Sequence, residues 1–414
     1  MSEGSVPAQP RIPIETHSLS PVVSANRVVM ALSAAALLAL WGSAFISVAP
    51  NRIVPGTPLR LWEAAGWFGA LLASLPLLAL AALAWRPDRK RLQAALGLAL
   101  ALVMALPACL ALLAALALDP ALPQARLGLG PAFWLLLFLL ALVLVELRTR
   151  LGLGTAAGWG MVAAVALVWG LVGWLASSWL TPLALWQEYQ VRREQFGAAV
   201  LYHLLLVGGA VGASLVLGTA IALAMRRSRR VERVGFTLLN VLQTIPSLAL
   251  FGLLLAPLAW LAANVGWLHA LGVRGIGWAP AFLALLGYSL LPMVRNTFVA
   301  LSGVEAGVLE AARGMGMSRA QVFWQVRLPL ALPVVLEGVR ITTVQAIGLA
   351  AVAALIGAGG LGTFIFQGLG QAAMDLVLLG ALPILAMAMV ADALLGALSR
   401  GLSPRDVNAQ GGAG

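Results

Sequence analysis

Cysteine occurs once in 414 residues, at Cys109 within an apolar run, so no intrachain disulfide is possible and no cysteine-based metal spacing exists. Its structural reading is that of a small buried apolar residue. Histidine occurs three times and lysine only at Lys90. A phosphate-binding P-loop needs G-x-x-x-x-G-K-[ST], and Lys90 follows Arg89, so the chain carries no nucleotide site of that type. No His/Cys/carboxylate cluster has metal-ligand spacing, and no nucleophile lies beside a base in a pattern that suggests catalysis. Charge is scarce as well: 10% of residues are charged, against 61% hydrophobic. A soluble core of this size does not require such a deficit. Stacked apolar runs of about 20 residues, as bilayer-spanning helices demand, do require it.

What is present is therefore an all-α polytopic membrane protein with a mean hydropathy of +0.97. Hydropathy predicts ten spans at about 28–49, 62–85, 93–118, 131–147, 153–178, 199–225, 236–260, 279–300, 329–354 and 376–398. The first apolar run is long enough to remain as a span; a cleaved signal peptide is the lesser reading. The net charge of +11 forms no sustained basic face, which argues against a nucleic-acid partner. With the N-terminus inside, 19 of the 26 basic residues fall on cytoplasmic segments and 6 outside, as the positive-inside rule requires. Both termini are then expected in the cytoplasm.

The expected domains are a disordered segment over 1–26, an N-terminal membrane extension over 27–180, an external amphipathic connector over 181–198, a membrane core over 199–400 and a tail over 401–414. The extension is Ala/Leu-rich, with Trp41, Trp62, Trp85, Trp134, Trp174 and Trp179 at span ends, where indoles suit the interface. Polar residues within spans concentrate in the second half. Glu337 and Arg340 lie three apart in the ninth span, able to pair on one helix face. They are either part of a seam that transmits movement or a structural pair near the cytoplasmic end. Asp392 is placed near a cytoplasmic end, Asp375 near an external one, and His203 and His269 at an interface or outside. Gln243, Thr244, Pro246 and Ser247 offer a helix break that could line a pathway, joined by Asn240, Tyr288 and Asn296; a Pro kink with incidental polar residues explains them nearly as well. "GAGGLG" at 357–362 satisfies G-x-G-x-x-G, but it follows a membrane helix with no strand before it, so a dinucleotide site is rejected. Gly359, Gly360 and Gly362 fit better a flexible re-entrant or external loop near a gate.

The segment 303–328 is charged, glycine-punctuated and cytoplasmic. It predicts a helix over about 304–314, a turn at Gly314 and Gly316, and a second helix opened by a Ser318/Gln321 capping box, with Phe323 and Val326 on its apolar edge and Pro329 opening the next span. Small residues Ala306, Ala311 and Ala312 would let another surface approach closely. The spacing Glu310-Ala311-Ala312, Gly316, Val326, Leu328-Pro329 resembles the signature loop of permease subunits of binding-protein-dependent ABC importers. The resemblance spans roughly 199–400, and "QTIPSLALFGLL", "LPMVRNTFVAL" and "GAGGLGTFIFQGL" are similar to permeases for osmoprotectants such as glycine betaine and choline. It identifies a long variant whose extra N-terminal spans depart from the minimal family architecture. The resemblance implies a type I importer core in a bacterial inner membrane, a coupling loop docked on a separate cytoplasmic ATPase that binds ATP and Mg, a substrate-binding protein outside, and a second permease subunit, either a copy or a different chain. No cofactor is expected on this chain itself. Methionine or another small solute is the alternative cargo, and a secondary transporter or channel the alternative class.

Overall fold

The computed structural model describes residues 25–402 except 53, 120 and 123. Most of the predicted terminal segments, 1–26 and 401–414, therefore lies outside the described residues. Two compact units divide at Ala184/Leu185.

The first unit opens with α1 (Arg27–Gly42), whose N-terminus Asn26 caps by accepting the Val29 N–H at 3.2 Å. Asn26 is not part of a loose tail: it is buried and donates to Glu146 at 3.2 Å. Helix α1 has 16 residues, and the chain then turns extended as β1 (Ile46–Ala49). The predicted first span thus merges a short helix with a strand, because hydropathy does not distinguish extended from helical backbone. Strand β1 pairs antiparallel with β2 (Thr57–Leu59) and with β3 (Arg126–Leu129), giving the order β2-β1-β3. The other helices of the unit are α2 (Leu61–Trp85), α3 (Arg89–Ala117), α4 (Pro131–Arg150), α5 (Thr155–Leu175) and the short α6 (Ser177–Leu180); α1 packs on α2 and α4, and α3 on α2, α4 and α5. Pro107 inside α3 cannot donate to the Val103 carbonyl four residues back. The Trp169 indole N–H on α5 supplies that donor at 2.9 Å.

The second unit begins with α7 (Ala184–Val191), followed by α8 (Arg193–Met225). The expected external connector is accordingly helical over most of its length. Leu185, Tyr189 and Phe196 pack against Leu361 and Phe364, and Glu188 is buried with Arg192 paired to it. Then come α9 (Arg229–Thr244), α10 (Ser247–Asn264), α11 (Gly266–Ala270), α12 (Trp278–Ser302) and α13 (Ala306–Gly314). One continuous helix, α14 (Arg319–Ile356), enters the apolar region, and α15 (Gly362–Gly370) and α16 (Met374–Leu402) complete the unit. Its core joins Val207, Ala210, Phe251, Leu285, Ile347 and Ala350. Helices approach closely where glycine faces a neighbour: a Cβ on Gly218 would lie 2.8 Å from Met293 Cγ, and one on Gly338 2.6 Å from Asn296 Cβ. Among the described residues, nine helices are long and apolar enough to cross a membrane, α1 being shorter.

Candidate functional site: the coupling segment and the polar residues of the second unit

Helix α13 ends at Gly314 with Met315 as its C-cap, after which Gly316 adopts φ +82°, a left-handed conformation that costs a side-chain-bearing residue about 1–2 kcal/mol. Ser318 then opens α14 through the expected capping box: Gln321 N–H donates to Ser318 Oγ at 3.3 Å, and Ser318 N–H to Gln321 Oε1 at 2.8 Å. The second predicted helix does not stop before the span. It widens into a π-helical turn over Val322–Arg327, where Leu328 N–H reaches Phe323 O, and runs on through Pro329. The wider turn eases the helix past a residue that lacks an N–H.

Glu310, Ala311 and Gly316 are exposed, whereas Ala312 faces inward and is buried with Leu309 and Val322, against which Val326 packs. Ala312 therefore closes the segment's own small core and offers no surface to a partner. Phe323 packs beside Leu301 and Ala331, while Val326 packs with Leu309, Ala312 and Val322. The most exposed large apolar side chains of the segment are Met315 (76%) and Trp324 (65%). Their type was visible in the sequence, but nothing in the spacing gave their direction. At the root of α13 lies a cavity of about 380 Å³ lined by residues including Gly303, Val304, Val308, Leu330 and Val334. Burial and then the like charge of Arg327 lower the pKa of the Arg226 guanidinium from its ordinary value.

The residues predicted for a pathway or gate fall in three places. At the first, α9 stops at Thr244 and α10 begins at Ser247, with Ile245 and Pro246 extended between them. This break is pinned to α12. Pro292 leaves the Tyr288 carbonyl without its in-helix donor, and Gln243 Nε2 donates to it at 2.7 Å, while the Tyr288 hydroxyl donates back to the Ile245 carbonyl. The Thr244 hydroxyl folds back on Val241 O at 2.7 Å. At the second, Asn296 donates to Pro292 O at 2.8 Å and meets Gly338. A separate cavity of about 320 Å³ carries Asn240 and Arg295 in its wall. The third is the glycine turn. Gly357, Gly359 and Gly360 all have positive φ, and a Cβ on Gly362 would lie 2.0 Å from Ala351 O, so the segment is a tight turn leading into α15 rather than a loose loop.

Two placements differ from expectation. His203 is buried, at 1% exposure, with Nε2 3.1 Å from Ile347 O and Nδ1 beside Gly360; it is not interfacial. Arg340 does meet Glu337 at 3.0 Å, but its fork is occupied by Asp392 on α16, at 2.6 Å to Nε and 2.8 Å to Nη2. The pair is a triad joining two helices, and Asp392 is its principal acid.

Residues 214–404 match the family described as binding-protein-dependent transport system inner membrane component. The carnitine transport permease protein OpuCB of Listeria monocytogenes is 37% identical over 198 residues, 47% of this chain and 84% of that protein. The chain belongs to this family. It is thus an ABC transporter permease, a multi-pass inner-membrane protein with a transport role. Family membership extends to further relatives: the osmoprotectant import permease protein OsmW of Salmonella typhimurium is 39% identical over 209 residues, 50% of this chain and 90% of its own length. The glycine betaine/carnitine/choline transport system permease protein OpuCD of Bacillus subtilis is 37% identical over 204 residues, 49% of this chain and 82% of its own. Residues 26–186 match a second model, ABC transporter permease YehY, N-terminal domain, which makes the protein a long variant. An inward-facing structure of the MetNI methionine ABC transporter aligns with 51% of this chain and 98% of its own at 20% identity and a TM-score of 0.44.

Proposed function

We propose that this permease forms the membrane path of an ATP-driven importer for small osmoprotectants such as glycine betaine, carnitine or choline. The supporting observation is the 37–39% identity across nearly the whole length of relatives named for those solutes. ATP and Mg are handled by a separate cytoplasmic ATPase, which docks on α13, Gly316 and the start of α14. Exposed Met315 and Trp324 beside Glu310 and Ala311 suit such a docking surface, since large apolar side chains anchor interfaces. Both termini lie in the cytoplasm, a substrate-binding protein delivers cargo from outside, and a second permease subunit completes the path. Gly316, Val326, Leu328 and Pro329 keep the docked segment in line with the span, so that closure of the ATPase moves them as one body. The break at Gln243–Ser247 and the turn at Gly359, Gly360 and Gly362 are the points at which the path opens.

Uptake of labelled glycine betaine and choline, in cells lacking other transporters for them, tests the reading. Uptake that depends on the ATPase supports it. Transport by this chain alone in liposomes, or uptake of methionine with neither osmoprotectant carried, refutes it.

A further inference from the structure

At the end of α14 far from the coupling segment, two buried polar groups lie side by side without partners. One belongs to His203 on α8, which is buried on all sides. Its Nε2 stands 3.1 Å from the Ile347 carbonyl of α14, which only accepts, so the neutral ring carries its proton on Nε2 and Nδ1 is left as a bare acceptor. Nδ1 has no donor among the described residues. Beside it runs the glycine turn, where a Cβ on Gly360 would lie 3.2 Å from Nδ1. Gly360 is buried as well, and its N–H reaches no acceptor among the described residues. Neighbouring groups of the turn are spent. Gly357 N–H donates to Ala354 O at 3.1 Å and Ala358 N–H to Ala353 O at 3.2 Å, while the Ile356 carbonyl takes the Gly277 N–H at 2.9 Å. The Gly360 carbonyl accepts twice, from the Thr363 N–H at 3.2 Å and its hydroxyl at 2.7 Å. Buried donors and acceptors are nearly always paired. A donor and an acceptor left open next to each other, in a stretch whose left-handed glycines can change backbone angles cheaply, mark a contact that this conformation has released.

We infer that the Gly360 N–H and His203 Nδ1 become hydrogen-bond partners in the other conformation of the transport cycle, which makes His203 a two-position latch for the glycine turn. Nε2 ties α8 to α14 in both conformations, and Nδ1 holds the turn in one of them. His203 is thus a positioning residue for the gate. The inference rests on the proposed opening of the path at this turn and adds the residue that distinguishes its two states.

The chain has three histidines, His17, His203 and His269, so isotope labelling of histidine gives few imidazole nitrogen resonances. The test uses the full-length labelled chain reconstituted in lipid with its unlabelled partner subunits, and His203→Gln assigns the resonances by removing them. Spectra are compared with the ATPase free of nucleotide and trapped with ATP and vanadate. In one state Nδ1 of His203 should resonate as a free acceptor, and in the other it should move upfield as an acceptor that has gained a donor. Nδ1 unmoved by trapping overturns the inference, whether it stays free in both states or is bonded in both, as a fixed buried water would make it. His203→Gln keeps a donor for the Ile347 carbonyl and deletes the latch acceptor, so ATPase-dependent uptake should fall about fivefold, the worth of one net hydrogen bond, with the thermal midpoint unchanged. A lowered midpoint with a normal uptake rate would reduce His203 to a packing role and also overturn it. Trapping is read independently of cargo, so an Nδ1 that moves in a transporter carrying no osmoprotectant would sink the proposed cargo and leave the latch intact.

Discussion

Gln243→Leu should destabilise the second unit, and Pro292→Ala should remove most of that effect. The side-chain amide donates at 2.7 Å to the Tyr288 carbonyl, which has no in-helix donor because residue 292 is proline. Tyr288 is 8% exposed, so water does not replace a lost partner readily. Leaving such a group unpaired costs about 1–3 kcal/mol in soluble proteins, and interhelical hydrogen bonds in membranes have averaged about 0.6 with a maximum near 1.7. A loss of about 1–2 kcal/mol is therefore expected for Gln243→Leu in the wild-type background. Alanine at 292 restores an N–H aimed at Tyr288 O, so the same substitution should then cost less than about 0.5 kcal/mol, a coupling of roughly 1 kcal/mol between two residues on different helices. Equilibrium unfolding in mixed micelles, run as a double-mutant cycle, measures the coupling directly. Equal costs in both backgrounds would refute the reasoning, since they would mean that the amide does not serve the carbonyl that proline exposes.

The same logic holds in the first unit: Trp169→Phe, which keeps one aromatic ring and removes the pyrrole part with the N–H donated to Val103 O at 2.9 Å, should cost about 1 kcal/mol or more, and less when combined with Pro107→Ala. Gly316→Asn should preserve co-purification of the ATPase because asparagine tolerates the left-handed region, whereas Gly316→Val should lose it while inserting normally; equal recovery from the two variants would count against a backbone role. Gly338→Val places atoms where Asn296 Cβ already stands at 2.6 Å, and overpacking of about 1–3 kcal/mol or more should lower the thermal midpoint of the purified permease; an unchanged midpoint contradicts the close α12–α14 packing. Arg340→Lys keeps the charge but cannot grip Asp392 through two nitrogens, so uptake should fall with the protein still folded; undiminished uptake would show that the fork is not needed.

Most long spans could be read from hydropathy alone, because a bilayer imposes its thickness on each helix separately. The capping box at Ser318 and the turn at Gly316 were equally legible, being set by residues three or four apart. Partnerships across the fold were not. Nothing between Arg340 and Asp392, 52 residues apart, signals that their helices touch, and Glu337 three residues away was the only partner that periodicity could offer. His203 lies in a helix whose neighbours are apolar on every side, so its burial depends on where α14 passes rather than on its own surroundings. Strand β1 was hidden for a different reason: a mostly apolar stretch shortly after a helix lengthens an apolar run whatever its backbone conformation. The segment 181–198 read as amphipathic because it is, and the packing of Tyr189 and Phe196 on Phe364 shows what its apolar side covers. Exposed Trp324 escaped notice because side-chain direction at a π-helical turn does not follow the ordinary 3.6-residue repeat, and exposed Met315 because it caps α13 outside any repeat.

Helix α14 extends unbroken for 38 residues, so the end that a partner can grasp and the end that reaches the far side of the bilayer belong to one rod. A rod of about 57 Å cannot absorb a push along its length by changing shape gradually. Any tilt imposed at Ser318 must be taken up beyond Ile356, where three left-handed glycines within four residues serve as the universal joint of this lever.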